Sequence, residues 1–171
     1  MYKSFYKEIF KKLSSIDKIK YSKILNLIKK NKGTIYLAGN GASSSIADHV
    51  SVDFTKTLKI KSKTFNNSNL ITCYSNDYGY ENWISKAISS YCSNNDLVIL
   101  ISSSGKSKNI CEAAKYCKQN KIKLITLSGF KKNNPLSKMG DLNIHVNSKN
   151  YNVVEIAHLS ILLWVVEKLK N

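Results

Sequence analysis

The chain has 171 residues, 43% of them hydrophobic, with 27 basic residues against 11 acidic ones and a formal net charge of +16. This length suits one domain with a sizeable core, and no apolar run approaches the roughly 20 residues of a membrane span, which argues against a membrane protein. All 27 basic residues are Lys; without Arg for bidentate phosphate and base recognition, the charge argues against a nucleic-acid partner. With 19 Asn and a single Pro, the usage resembles the drift of an AT-rich genome, which places Lys on solvated faces. The excess charge would still raise the encounter rate with an anionic substrate. The amino terminus lacks the apolar core of a signal peptide, so a cytoplasmic protein is expected. Cys73, Cys92, Cys111 and Cys117 form no Cys-x-x-Cys pair and are expected to stay reduced, none as a nucleophile.

Residues 2 to 31 are helical in pattern, with Phe5, Ile9, Leu13 and Ile16, then Ile24, Leu27 and Ile28, at spacings of three or four. A break near Ser14 to Asp17 would split them into two helices. Thr34 to Ala38 reads as a first strand, and Gly39-Asn40-Gly41 turns into a helix from about Ser43 to Leu58. Leu70 to Tyr74 is compatible with a strand or a short helix. Asn76 to Gly79 reads as a turn before a helix over Glu81 to Cys92. Asp96 to Ile101 is an apolar strand, and Asn109 to Gln119 a helix with Ile110, Ala113, Ala114 and Cys117 on one face. Lys123 to Leu127 is the next strand, Lys131 to Leu136 a polar connection, Asp141 to Val146 a last strand, and Tyr151 to Leu169 an apolar closing helix. Strands alternate with helices, so a parallel sheet covered on both faces is expected. The N-terminal helices precede this unit and are candidates for subunit packing.

The stretch Val98 to Ser107 carries the chemistry. A β-branched apolar run ends in Ser102, Ser103 and Ser104, then Gly105, Lys106 and Ser107, and a helix starts at once. The carboxyl end of a strand before a helix is where open α/β sheets bind ligands, and free amides at the helix start favour an anion. Four hydroxyls add donors without charge, which suits a phosphate ester. The plainer alternative is helix capping, which needs one serine rather than four.

Gly39-Asn40-Gly41-Ala42-Ser43-Ser44-Ser45 is a second strand-to-helix glycine turn. Ser44 stands where a dinucleotide fingerprint needs its third glycine, and no acidic residue ends a second strand about 20 residues on. Two hydroxyl-rich turns on two parallel strands read better as one phosphosugar site. His49 and Asp53, four apart on a helix, share a face; the spacing suits a metal or an acid/base pair, or a plain surface hydrogen bond. Glu155 and His158 stand three apart in an apolar helix, where a charge needs a partner, a ligand or an exposed helix start. His145 reads as structural. Asp77 is placed to bind sugar hydroxyls or to cap the following helix.

Together, Gly39-Asn40-Gly41-Ala42-Ser43, His49-x-x-x-Asp53, Asn76-Asp77-Tyr78-Gly79-Tyr80 and Ile101 to Ser107 resemble the sugar isomerase (SIS) domain. Within it the chain is most similar to the sedoheptulose 7-phosphate, or phosphoheptose, isomerases, and the Asn-Asp-aromatic-Gly segment favours that family over other SIS domains. The resemblance implies a three-layer α-β-α sandwich with a five-stranded parallel sheet over 1–171. Residues 1–32 would form helices used in oligomer packing and residues 33–171 the phosphosugar-binding core of a homotetramer. It implies that Asn40, Gly41, Ser43, Ser102, Ser103, Ser104 and Ser107 hold the substrate, with Asp77 on sugar hydroxyls and Glu155 beside them. His49 matches a zinc ligand, and Asp53 matches a glutamate that is both ligand and general base.

Two positions depart from the family. Asp53 is one methylene shorter than Glu, about 1.5 Å of lost reach. The last helix lacks the family's Gln and His seven or eight residues apart: Leu162 and Leu163 stand seven and eight after Glu155, so the acid is either relocated to His158 or missing. The expected reaction is aldose–ketose isomerisation of sedoheptulose 7-phosphate to D-glycero-D-manno-heptose 7-phosphate, for lipopolysaccharide or capsule heptose. Asp53 and His158 would be catalytic, and one zinc ion would be held by His49, Asp53, Glu155 and His158. The alternatives are a non-catalytic phosphosugar-binding or regulatory subunit, and an isomerase of another sugar phosphate.

Overall fold

The computed structural model describes residues 2–170; Met1 and Asn171, the outermost residues of the expected domain 1–171, lie outside the described residues. Two helices, α1 (Tyr2–Ser14) and α2 (Lys18–Lys30), precede the sheet. They part where the Asp17 carboxylate caps α2 by accepting from the Ile19 N–H at 2.8 Å.

Five strands follow: β1 (Ile35–Gly39), β2 (Ser62–Thr64), β3 (Leu97–Ser102), β4 (Lys123–Gly129) and β5 (Leu142–Val146). Helices α3 (Ala42–Lys56), α4 (Ser68–Tyr78), α5 (Trp83–Tyr91), α6 (Lys108–Gln119) and α7 (Tyr151–Leu169) connect or close them, with one 3-10 turn at Pro135–Lys138. Every strand pair is parallel, in the order β2-β1-β3-β4-β5. The central strands β1 and β3 are buried along their whole length because helices cover both faces. The period-two alternation of β3 divides its side chains between two cores: Leu97, Ile99 and Ile101 face α2, α3 and α7, whereas Val98 and Leu100 face α5 and α6. The three-layer sandwich with preceding helices is therefore as expected.

The structure resolves two local readings that the sequence left open. The ambiguous segment Leu70 to Tyr74 is helical and belongs to α4, whose start is capped by the Asn67 side chain accepting from the Leu70 N–H. Leu70, Ile71 and Tyr74, at helical spacing, then pack on the core beneath α5 and α6. The fifth strand is β2, a Ser-Lys-Thr edge segment paired with Ile35 to Leu37. It carries no apolar alternation, because a short edge strand is recruited by its backbone alone.

The strand order places the topological switch between β1 and β3: the chain leaves β1 toward β2 on one side and returns to β3 on the other. Ligand crevices of open α/β sheets form outside the carboxyl ends of strands at that point. There Gly39 pairs with Ile101, so the glycine turn and the serine turn leave adjacent strands side by side. At the opposite end, the Asp96 carboxylate ties the starts of the same two strands, accepting from the N–H groups of Thr34 and Ser93 at 2.6 and 2.7 Å.

Candidate phosphosugar site

The serine turn is built from residues 102–107. Ser102 and Ser103 are buried at the end of β3, and Gly105 turns the chain with φ +65°, a conformation open to glycine. A Cβ at residue 105 would run into the Asn134 side chain, so the Asn133–Pro135 segment backs the turn closely. The Leu136 N–H reinforces this by donating to the Gly105 carbonyl at 3.1 Å.

Ser107 is the N-cap residue of α6, yet its hydroxyl makes no capping hydrogen bond. It stands 3.1 Å from the Ser102 hydroxyl instead. The capping alternative therefore fails for the residue it fitted best, and of the first-turn amides of α6 only that of Ile110 is taken, by Asn109 Oδ1, leaving those of Lys108 and Asn109 without an intrahelical acceptor. Hydroxyl pair and amides together form an uncharged donor cluster of the kind an anion fills. The Ser104 oxygen accepts from the Lys106 N–H at 3.2 Å, which leaves its O–H as a donor.

The glycine turn faces this cluster. Gly41 caps α3 at φ +54° with open space around its α-carbon, and Ser43 is buried in the first turn. The side chains of Asn40 and Asn109 form two reciprocal hydrogen bonds of 2.9 and 3.0 Å between the turns. Tyr80 donates its hydroxyl to Asn40 Oδ1 at 3.4 Å and so brings in the third segment singled out by sequence. Asp77 lies in the last turn of α4 rather than in a loop, because the helix runs on to Tyr78 before Gly79 ends it. Its carboxylate is exposed and accepts from Asn76 Nδ2 and the Cys73 thiol on its own helix. It caps no following helix: Asn82 occupies the N-cap of α5.

From α7, Glu155 reaches the serine turn, where its Oε1 accepts from the Ser103 hydroxyl at 3.4 Å. Val154 packs one residue before it, close enough to Gly129 that a Cβ there would collide with it. His49 and Asp53 form the expected pair on α3, with Nε2 3.5 Å from Oδ2 and side chains 59% and 27% exposed, so both are open to a small ligand.

His158 does not join this site. Its ring is fully buried, with Nε2 3.2 Å from the Ser128 carbonyl and Nδ1 without a partner among the described residues. Burial pushes the imidazole pKa down to about 4, with His145 lowering it further, against the raising effect of the Ser128 carbonyl. A neutral side chain held on a backbone oxygen inside the core is not placed to exchange protons with a sugar. α7 turns His158 inward with Val154, Ala157, Ile161 and Leu162, all sealed against the sheet. Within this chain the expected zinc set loses His158, while His49 and Asp53 stay paired on α3. Among the described residues no three of the His, Cys, Asp and Glu side chains converge on one ion, so His49, Asp53, Glu155 and His158 do not fit a single zinc within one chain. The half-buried Cys92 and buried Cys117 thiols are also inert: burial raises the pKa of Cys92, and pushes that of Cys117 up to about 12.

Sequence reasoning missed Asn109. It stands seven residues beyond Ser102 inside a predicted helix, where an Asn on a buried face was the available signal. The SIS domain family matches residues 69–163, over half the chain.

The chain belongs to the SIS domain family. Among SIS proteins it is 36% identical over 113 residues to phosphoheptose isomerase 2 of Campylobacter jejuni, covering 61% of this chain and 56% of that protein. It is 32% identical over 145 residues to the phosphoheptose isomerase of Helicobacter pylori strain P12, covering 78% and 76%. Across the first matched relatives the chain spans 56% to 62% of their length. The solved phosphoheptose isomerase of Neisseria gonorrhoeae superposes with a TM-score of 0.87 over 97% of this chain and 96% of that one, at 21% identity, and supports the SIS fold. No described helix is long and apolar enough to cross a membrane.

Proposed function

We propose that this chain is an aldose–ketose isomerase of a phosphorylated sugar, converting sedoheptulose 7-phosphate to D-glycero-D-manno-heptose 7-phosphate in the cytoplasm, for lipopolysaccharide or capsule. The observation that carries the reading is the Ser102–Ser107 hydroxyl pair, 3.1 Å apart and free of capping duty, beside the Asn40–Gly41 turn on the adjacent strand. The phosphate takes the hydroxyls of Ser102, Ser103, Ser104 and Ser107 and the first amides of α6. Asn40, Gly41 and Ser43 line the sugar, and Asp77 supplies a carboxylate for its hydroxyls.

Asp53 is the base. Its carboxylate takes the C1 proton of the ketose, the electron pair closes an enediolate across C1 and C2, and the same proton returns to C2. The proton moving between O1 and O2 passes through solvent, which reaches Asp53, since His158 is sealed away. His49 and Asp53 would supply two donors to a zinc ion, one fewer than the three protein ligands of a catalytic zinc site. Packing between subunits of a homo-oligomer is supported by α1, which presents Tyr2, Tyr6 and Phe10 at i, i+4 and i+8, 64% to 73% exposed, as an aromatic stripe.

One observation favours a second reading. With His158 buried and Leu162 in the core, Glu155 is the one titratable α7 side chain that bonds the serine turn. A non-catalytic phosphosugar-binding subunit needs no more than that. Purified protein mixed with sedoheptulose 7-phosphate, with aldose formation followed, separates the two. Turnover lost in Asp53→Asn with binding kept supports the isomerase; tight binding with no turnover by the unaltered protein overturns it in favour of the binding subunit. Turnover on a different sugar phosphate alone would move the substrate and leave the chemistry.

A further inference from the structure

We propose that Asn109 is a positioning residue of this site, holding the glycine turn in register with the serine turn through its closed amide pair with Asn40. The proposal rests on the reading of those turns as a sugar-phosphate cradle. Parallel pairing between β1 and β3 ends at Gly39 and Ile101, so beyond that point the ladder no longer joins the two chains. Each then bends at a glycine of positive φ, Gly41 at +54° and Gly105 at +65°, where the backbone has unusual freedom. The next link between them is the pair of side-chain bonds, formed by residues 69 apart in sequence.

The chemistry of the pair is specific to a primary amide. Asn109 Oδ1 accepts from Asn40 Nδ2 at 2.9 Å and from the Ile110 N–H at 2.9 Å, while its Nδ2 donates to Asn40 Oδ1 at 3.0 Å. Only a side chain with both a donor and an acceptor closes that ring. Aspartate would lose the donor and set a negative charge beside the anion. Asn109 is 2% exposed, so its end of the pair is shielded from competing water, while the Asn40 end is part-buried. The Asn40 carbonyl in turn accepts from the Ser43 N–H at 3.0 Å, which links the clamp to the first turn of α3. Tyr80 adds its hydroxyl from the exposed side. A cradle held this way needs less ordering when a ligand arrives, which appears as affinity.

Amide hydrogen exchange on the ligand-free protein tests the clamp directly. In Asn109→Ala the amides of Ser43 to Ser45 should exchange about tenfold faster, while those of Ile99 and Leu100 in β3 stay unchanged. Tyr80→Phe, a change at an exposed ring that folding tolerates, should accelerate the same amides by about two- to threefold. If Asn109→Ala does not fold, Tyr80→Phe and Asn40→Ala decide. Unchanged exchange at Ser43 to Ser45 in the folded variants, or acceleration shared equally by β3, overturns the proposal. Affinity gives a second readout that general destabilisation would not produce: sedoheptulose 7-phosphate should bind about tenfold more weakly to Asn109→Ala, inorganic phosphate by less than about twofold. Equal losses for both ligands count against the clamp. Failure of the unaltered protein to bind any sugar phosphate would remove the proposed function, and the exchange result would still judge the clamp.

Discussion

The imidazole Nε2 of His158 lies 3.2 Å from the carbonyl oxygen of Ser128, so α7 is joined to the end of β4 by a neutral, fully buried histidine. Its pKa of about 4 lies below the ordinary 6.5. As pH falls from 6.5 toward 4, the unfolded chain binds a proton that the folded chain refuses, so stability is lost across that window and is flat above it. The slope is up to about 1.4 kcal/mol per pH unit for one proton. Urea unfolding at several pH values should show it, and His158→Leu should flatten it. Part of the slope will persist, because burial lowers the His145 pKa in the same direction. An unchanged slope in His158→Leu would contradict the buried neutral ring.

Glu155 sets a carboxylate 3.4 Å from the Ser103 hydroxyl. A negative charge there opposes a phosphate bound to the same turn. Glu155→Gln keeps the shape and removes the charge, so inorganic phosphate should bind more tightly by about two- to fivefold at low salt, less so at high salt. Calorimetric titration reads this; weaker binding would mean that Glu155 holds the ligand through a proton or a cation instead.

Gly105 and Gly41 both have positive φ, but only Gly105 is crowded, by the Asn134 side chain. Gly105→Ala therefore combines backbone strain with a clash and should cost about 2–4 kcal/mol, against about 1–2 kcal/mol for Gly41→Ala. Chemical denaturation of the two variants should rank them in that order.

Ser107 and Asn150 both occupy helix N-caps, and only Asn150 uses its side chain there, accepting from the Asn152 N–H at 3.0 Å. Asn150→Ala should cost about 1 kcal/mol of stability. Ser107→Ala should leave stability within about 0.5 kcal/mol, yet weaken phosphate binding by about tenfold through one lost charge-assisted hydrogen bond. A stability loss without an affinity loss at Ser107 would return it to the role of a cap.

What was legible in advance follows the range of the interaction behind it. The apolar run of β3, the hydroxyl turn behind it and the helical periods of α2, α6 and α7 are local patterns, and each element lies within a few residues of its expected place. β2 was not legible, since Ser62 to Thr64 form a strand only because Ile35 to Leu37 offer backbone partners. The sequence reads as a strand or short helix over Leu70 to Tyr74 and a turn at Asp77, because Asn76 and Gly79 are turn formers, yet packing of Leu70, Ile71 and Tyr74 carries one helix on to Tyr78.

From its order of residues alone, this protein had its parallel α/β class, the two ligand-facing turns and the His49–Asp53 pair, because periodicity and i, i+4 spacing are properties of neighbouring residues. The tertiary structure decided that the turns stand side by side at the β1–β3 switch, that Asn109 joins Asn40, and that His158 is enclosed. Those depend on strand order and on how far α7 rotates against the sheet, which are set by contacts between residues tens of positions apart.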